Sequence, residues 1–317
     1  MMKLLSAIYG SAVNVRNRRF DDGKREVKRL SSPVVSIGNI SVGGSGKTPF
    51  TMALGSLLNQ RSIPFDVLSR GYRRDSTGIK FVDPNGRATE FGDEPLLLAK
   101  RLAVPVIVGS SRYQAGLRAE RRFVSEMHLL DDGFQHRQLA RQFDIVLVNE
   151  EDLDDRLLPS GNLREPVSAL ERADVLVIPS NQSSEKFAEF GKPIWRVIGS
   201  MRVPPKPPTR PLAFCGLARP QRFFKDIEAR GIKPCAMVAF PDHHRYSLGE
   251  IEKLRKIADR NRADGFMTTQ KDLMNLGDMV KRLEPIAIPI LETELLNAKA
   301  CLDHLLSTIE ARRTRPS

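Results

Sequence analysis

The sequence predicts an α/β chain, with a doubly wound, mostly parallel sheet followed by a second, smaller α/β domain. Three observations carry the prediction. Short β-branched apolar runs alternate with helical or loop segments, as buried parallel strands do. The first run ends in a glycine loop that opens directly into an amphipathic stretch. A proline-dense segment then interrupts the alternation before it resumes, which marks a boundary between two layered units.

The N-terminal segment reads as an amphipathic helix. Leu4, Leu5, Ile8, Ala12 and Val15 share one face, and Lys3, Ser6, Gly10 and Asn14 lie elsewhere on the wheel. Residues 1–30 carry eight Lys/Arg against three Asp/Glu, and Arg16, Arg18 and Arg19 follow the apolar face directly. That arrangement suits a helix lying on an anionic leaflet. It equally suits a helix packed on its own domain, and both readings stand at this point. A signal peptide fits worse, because Ser6, Gly10 and Ser11 break the apolar core. No apolar run reaches the roughly 18 residues of a spanning helix.

The strands of the first domain are expected at Val34–Ile37, Phe65–Leu68, Val104–Val108, His128–Leu130, Ile145–Val148 and Val175–Ile178. Residues 201–211 hold five prolines and read as a linker, so the first domain is placed at 1–200 and the second at 212–317. Strands of the second domain are expected at Leu212–Cys215, Ala236–Phe240, Gly265–Thr268 and Ile286–Ile290. Ser247 and Glu250 form a capping box for one of its helices. A last helix near 297–312 carries Leu302, Leu305, Leu306 and Ile309 on one face and could pack on either domain.

The chemistry concentrates in the loop Ser41-Val42-Gly43-Gly44-Ser45-Gly46-Lys47-Thr48. Between a strand and a helix, its backbone N–H groups would cradle an anion. Lys47 would reach the β/γ-phosphates, and the Thr48 hydroxyl would sit on Mg²⁺. The first domain is therefore P-loop NTPase-like. Ser41 stands where the usual pattern has its first glycine, and Gly43 and Gly44 keep the backbone permissive. His128-Leu-Leu-Asp131-Asp132 is an apolar run ending in two carboxylates, an unfavourable pair unless a cation neutralises them. His136 follows close by, and His128, within the strand, reads as structural.

Ligands of doubly wound sheets bind at the carboxyl ends of strands, so the loops there are expected to carry further site residues. Ser69-Arg-Gly-Tyr-Arg-Arg74 is basic. Asp93 and Glu94 open a helix, which capping alone would explain as well as catalysis does. Arg112 offers a cation after the strand at 104–108, and Arg164-Glu165 lies in an irregular charged loop. In the second domain, Asp242-His243-His244 follows a strand, and an imidazole titrates near neutral pH. Thr268-Thr-Gln-Lys-Asp272 lacks the spacing of a guanine-reading loop, which counts against a regulatory GTPase.

A net charge of +12 calls for an anionic partner. Aromatics make up only 6% of residues, with no basic run interleaved with them, so nucleic acid is not the expected partner. The three cysteines have no metal-ligand spacing and suit a reducing compartment.

In this order, the motifs resemble the tetraacyldisaccharide 4′-kinase family of lipid A biosynthesis. The likeness rests on Gly38–Pro49, Ser69–Tyr72, Gly92–Pro95, Asp131-Asp-Gly-Phe-Gln-His136, Asn162-Leu-Arg-Glu-Pro166, Phe240–His243 and Thr268–Asp272. Ser41 fits this family's form of the loop. The resemblance implies a kinase that moves the γ-phosphate of ATP, with Mg²⁺, to the 4′-hydroxyl of a tetra-acylated glucosamine disaccharide 1-phosphate. It implies a monomer, peripheral on the cytoplasmic face of the bacterial inner membrane and drawn to its anionic surface. By motif match, Lys47 and Thr48 hold phosphates and Mg²⁺, and Asp131 or Asp132 with Glu165 support the metal. Asp93 is the base, helped by His243 more than His244, while Arg112 and Arg164 contact phosphate. The readings weighed against it are a kinase of a soluble sugar or nucleoside, and an ATP-driven metallochaperone, for which Cys/His clusters would be expected.

Overall fold

The computed structural model of the chain describes residues 2–314. Helix α1 (Met2–Asp21) precedes β1 (Val34–Asn39). The chain then runs through α2 (Lys47–Gln60), β2 (Phe65–Ser69), β3 (Lys80–Phe81), α3 (Ala88–Phe91), α4 (Asp93–Leu102), β4 (Val106–Val108) and α5 (Arg112–Glu120). Next come β5 (Met127–Asp131), β6 (Phe143–Leu147), α6 (Glu150–Leu153), β7 (Val175–Pro179) and β8 (Ile194–Arg202). A second run holds β9 (Leu212–Cys215), α7 (Pro220–Glu228), β10 (Ala236–Ala239), α8 (Leu248–Arg260), β11 (Phe266–Met267), α9 (Gln270–Leu276) and β12 (Ile286–Ala287). Finally β13 (Ile290–Leu295) and α10 (Ala298–Arg313) follow.

Nine strands form one sheet in the order β13-β8-β7-β6-β1-β5-β2-β4-β3. All neighbours are parallel except the two edge pairs, β3 with β4 and β13 with β8. The central strands are buried along their whole length, which is why they read as continuous apolar runs. From β1 the chain moves to β2 and β4, returns to β5 beside β1, and continues to β6 and β7 on the other side. This reversal leaves a crevice at the carboxyl ends of β1 and β5, where such sheets take their ligands. The second sheet has four strands, ordered β10-β9-β11-β12 and parallel throughout.

The main core lies between the sheet and the apolar faces of α2 and α10. Phe50, Leu54 and Leu58 meet Val35, Ile37 and Leu129, and Leu302, Leu305 and Ile309 pack from the far end of the chain. Trp195 of β8 stacks on Phe143 of β6 with ring centroids 6.0 Å apart.

The second sheet ends at Ala287, well short of the expected boundary at 317. The single strand expected at Ile286–Ile290 is two strands in two different sheets. Pro289 supplies no N–H to a ladder, and the chain changes sheet there. β13 then pairs antiparallel with β8, Ile290 opposite Arg202 and Leu295 opposite Val197. Residues 203–289 are thus inserted at the tip of a two-stranded ribbon, and α10 belongs to the core of the larger sheet. The proline-rich linker is also shorter than expected, because Met201 and Arg202 belong to β8.

Candidate active site at the phosphate loop

The loop after β1 is shaped by two left-handed glycines, Gly43 (φ 86°) and Gly46 (φ 81°), and α2 begins at Lys47. A side chain is strained at such φ values, so glycine is required at both turns. The start of the loop is clamped from the side, since Val42 N–H donates to the Asn162 carbonyl (2.8 Å) and Arg164 N–H to that of Ile40 (2.7 Å). Ser41 bridges Leu163 in the same clamp. Thr48 is buried in the first turn of α2. Gly44 and Ser45 complete the exposed arc, in which Ser45 N–H turns back to the Gly43 carbonyl (2.7 Å).

Lys47 Nζ donates to Asn39 Oδ1 (2.9 Å) and lies 3.4 Å from Asp132 Oδ1. Arg164 converges on the same two acceptors, reaching Asp132 at 2.8 and 3.0 Å and also Asn39 Oδ1. Burial alone would raise the Asp132 pKa, but Lys47 and Arg164 outweigh it and hold the carboxyl well below the usual range. Asp132 has a left-handed backbone (φ 50°) just past the end of β5. Asp131 is buried and accepts from Ser69 Oγ at 3.2 Å. Burial first, then the charges of Glu94 and Asp132, push it up to about 7. The two carboxylates therefore differ sharply: Asp132 is saturated by cations and Asp131 is short of one.

The turn after β5 is fixed by a close approach. A Cβ on Gly38 would stand 2.5 Å from Phe134 Cβ, so β1 can pass the Asp131–Phe134 turn only as glycine. Arg112, nearly buried at the start of α5, donates to the Ser110 carbonyl (2.9 Å) and meets His136 Nδ1 at 3.0 Å. Burial and the neighbouring Arg70 lower its pKa to about 10, and burial with Arg112 lowers that of His136 to about 3. His136 is thus a neutral acceptor that holds Arg112. His128 is fully buried, bonded to Asp66 at 2.8 Å.

Asp93 and His243, 150 residues apart, meet across the two units. His243 Nδ1 lies 2.8 and 2.9 Å from the Asp93 oxygens, and Asn275 Nδ2 donates to Asp93 Oδ2 at 3.0 Å. Burial opposes charge on both partners. The pair wins on both sides: Asp93 is held below its ordinary value and His243 above its own. Lys271 of α9 pairs with Glu94, and burial of Lys271 is outweighed by the Glu94 and Asp93 charges. His244 is turned away, toward Glu250 (3.0 Å), which leaves His243 alone at the site.

Glu165 does not sit with the other acids expected at the metal. Its carboxylate is buried against Asn17 of α1 (2.7 Å) and Arg172 (2.9 Å). Neighbouring side chains leave the backbone in different directions, so Arg164 reaches Asp132 while Glu165 faces the helix. The sequence reading missed Asn39, Lys271 and Asn275 as site residues. Asn39 and Lys271 lie inside the quoted motifs, where they could have been found. Asn275 has no local signal, because only the packing of α9 against α4 brings it to Asp93.

A phosphate cradle faced by an acid and an imidazole serves the transfer of a phosphoryl group to an alcohol, and the chain is a phosphotransferase of that class. The comparisons with known proteins define it further. A family model described as tetraacyldisaccharide-1-P 4′-kinase matches residues 1–310. The tetraacyldisaccharide 4′-kinase of Koribacter versatilis is 50% identical, over 98% of this chain and 100% of that protein. That of Geobacter metallireducens is 35% identical, over 94% of this chain and 95% of its own. A crystal structure of LpxK from Aquifex aeolicus, described as an "apo" form in complex with ATP, superposes with a TM-score of 0.76. It is 34% identical and covers 96% of this chain and 97% of its own. The chain belongs to the tetraacyldisaccharide 4′-kinase family.

Proposed function

We propose that this chain transfers the γ-phosphate of ATP to the 4′-hydroxyl of a tetra-acylated glucosamine disaccharide 1-phosphate, a step of lipid A biosynthesis. The observation that carries the reading is the Asp93–His243 pair, closed by contacts from both units, with the adjacent Glu94 near enough to Lys47 of the phosphate loop to feel its charge. Phosphoryl transfer needs positioning, charge neutralisation and a group to take the hydroxyl proton. The loop backbone and Lys47 take the phosphate charge once nucleotide displaces Asn39 and Asp132 from the lysine. Arg164 and Arg112 add cations on either side. Asp93 accepts the proton of the attacking hydroxyl, and His243, bonded to both its oxygens, orients it and shares that proton.

The residues fit a divalent cation. Asp131 is a buried carboxylate near the charges of Glu94 and Asp132, with no salt-bridge partner among the described residues, and Thr48 presents a hydroxyl from the first turn of α2. No group of three His, Cys, Asp or Glu side chains forms a metal cage among the described residues. Mg²⁺ needs none, since it binds through one or two protein ligands with phosphates and water. Thr48 and Asp131 would hold it, with Asp132 nearby, and it would supply charge neutralisation of the transferred phosphoryl group.

The acyl chains of such a substrate stay in the bilayer, so the enzyme must come to them. The predicted face of α1 is outward, with Leu4 68%, Ile8 59% and Val15 52% exposed. Among the described residues, no helix is long and apolar enough to cross a membrane. The reading is a peripheral attachment at the cytoplasmic face of the inner membrane, supported by this exposed apolar face and the arginines beside it. The deciding experiment is mass spectrometry of the product made from ATP and a lipid A disaccharide 1-phosphate. Gain of one phosphate on the non-reducing sugar is expected, and phosphorylation of a short soluble acceptor without lipid would replace this reading.

A further inference from the structure

The inner face of α1 does something its outer face does not explain. Tyr9 Oη donates to the Arg164 carbonyl at 2.9 Å, and Asn17 Nδ2 donates to the Glu165 carboxylate at 2.7 Å. Both halves of the Arg164–Glu165 dipeptide are therefore held by one helix more than 140 residues away in sequence. The N–H of Arg164 is bonded to the Ile40 carbonyl at the end of β1 (2.7 Å). Its peptide is thus fixed between the strand that feeds the phosphate loop and the helix. The Arg164 guanidinium then has one place to go, onto Asp132 and Asn39 beside Lys47. A second route runs in parallel. Arg16 donates to the Gln135 carbonyl, and Gln135 Nε2 donates to the Asn39 carbonyl at 2.8 Å.

We propose that Tyr9 and Asn17 are positioning residues for phosphoryl transfer. By this reading, which rests on the kinase function above, α1 sets the placement of Arg164 at the phosphate loop in addition to any contact with a membrane. Glu165 is almost fully buried, and a buried carboxylate is costly to leave without donors. Arg172 and Asn17 both donate to its Oε2, while Oε1 has no partner among the described residues, so these two donors alone hold the carboxylate. Without Asn17 the Glu165 side chain follows Arg172, and the peptide carrying Arg164 follows with it. Misplacement of a phosphate cation by about 1 Å from a distant change can cost on the order of 10²-fold in rate.

The test uses the full chain with three variants, Tyr9→Phe, Asn17→Ala and, as a control on the outer face, Leu4→Ser with Ile8→Ser. Each is measured for kcat and KM of both substrates in detergent micelles, for sedimentation with anionic phospholipid vesicles, and for thermal midpoint. Asn17→Ala should lose about tenfold and Tyr9→Phe about threefold in kcat at a temperature well below either midpoint, with vesicle binding as in the parent for both and thermal midpoint as in the parent for Tyr9→Phe, Asn17→Ala alone being lowered by the loss of a donor to buried Glu165. The outer-face variant should lose vesicle binding. Parental kcat in both Tyr9→Phe and Asn17→Ala would overturn the proposal, as would losses that track vesicle binding or, in Tyr9→Phe, thermal midpoint. Should Asn17→Ala fail to fold, Tyr9→Phe decides alone, since it removes a single hydroxyl and parental kcat there sinks the idea. A parent chain inactive on the disaccharide would instead refute the kinase reading.

Discussion

Asp93 and His243 are bonded to one another across the two units, and as the proposed base and its partner they should act together. General base catalysis is worth roughly 10²–10⁴-fold. Asp93→Ala should lower kcat by that range with ATP affinity nearly unchanged. His243→Ala should cost less, and the double variant should be little worse than Asp93→Ala, because coupled groups are not additive. Steady-state kinetics at saturating ATP decides it, and multiplicative losses would mean two separate roles. The pH dependence has a definite sign. His243 is raised above its ordinary 6.5, so the ion pair's contribution is complete below that value and fades as pH rises through the raised one. The form with a neutral imidazole is the one ready to share a proton. The kcat profile should therefore climb with pH, its midpoint above 6.5, and Asp93→Asn should move any residual climb to lower pH, because only Asp242 then opposes burial and the Lys271 charge. Lys47 is a separate case. It lies in a half-buried loop and not in a core, so Lys47→Ala should keep its thermal midpoint while losing at least about 10²-fold in kcat. A folded variant with normal kcat would remove the phosphate loop from the mechanism.

At the scale of elements, α1 has two faces with different fates. Gly10, Val13, Asn17 and Phe20 are buried, and the Leu4, Leu5, Ile8 and Val15 face is open to solvent. Each apolar side chain buried in an interface contributes on the order of 1 kcal/mol or more. Replacing Leu4 and Ile8 together with Ser should raise the apparent KM for a long-chain substrate in vesicles and leave the KM for ATP alone. Unchanged substrate KM would show that the exposed face meets no lipid. Much of the architecture was legible beforehand. The central strands are apolar throughout because they are covered on both sides, and the Ser247–Glu250 capping box opens α8 as expected. The strands that escaped notice are β3, β8 and β13, at or next to the sheet edges. β8 is half-exposed and interrupted by Gly199 and Ser200, so it shows no apolar run. The grouping of the candidate site was legible where motifs carry it, as in Lys47 beside Asp132 and Asp93 beside His243. It was not where only tertiary packing does, as at Asn275, or where chain adjacency misleads, as at Glu165.

The whole molecule is held closed over the site by a clasp of charged groups. Lys271 on Glu94, Arg245 on Asp75 (2.7 Å) and Arg73 on the Asp242 carbonyl join the Asp93–His243 pair. Lys271 and Glu94 are half-buried, and removing one partner leaves the other charge uncompensated. Lys271→Ala should therefore open the clasp, with faster tryptic cleavage of the connection at 203–211 and a lower kcat. Cleavage at the parental rate would show that the remaining contacts suffice.

The ribbon of β8 and β13 carries a consequence for the chain's modularity. Arg202 and Ile290 are register partners, so the inserted unit leaves and rejoins the larger sheet at adjacent points. A short hairpin turn could join those two ends with no change to the nine-stranded sheet, to α10 or to the phosphate loop. The imidazole that meets Asp93 thus travels on a cassette, plugged into a nucleotide-binding body that is topologically whole without it. A lineage could lengthen, trade or lose that cassette, altering the alcohol it phosphorylates, while the apparatus that handles the phosphate stays as it is.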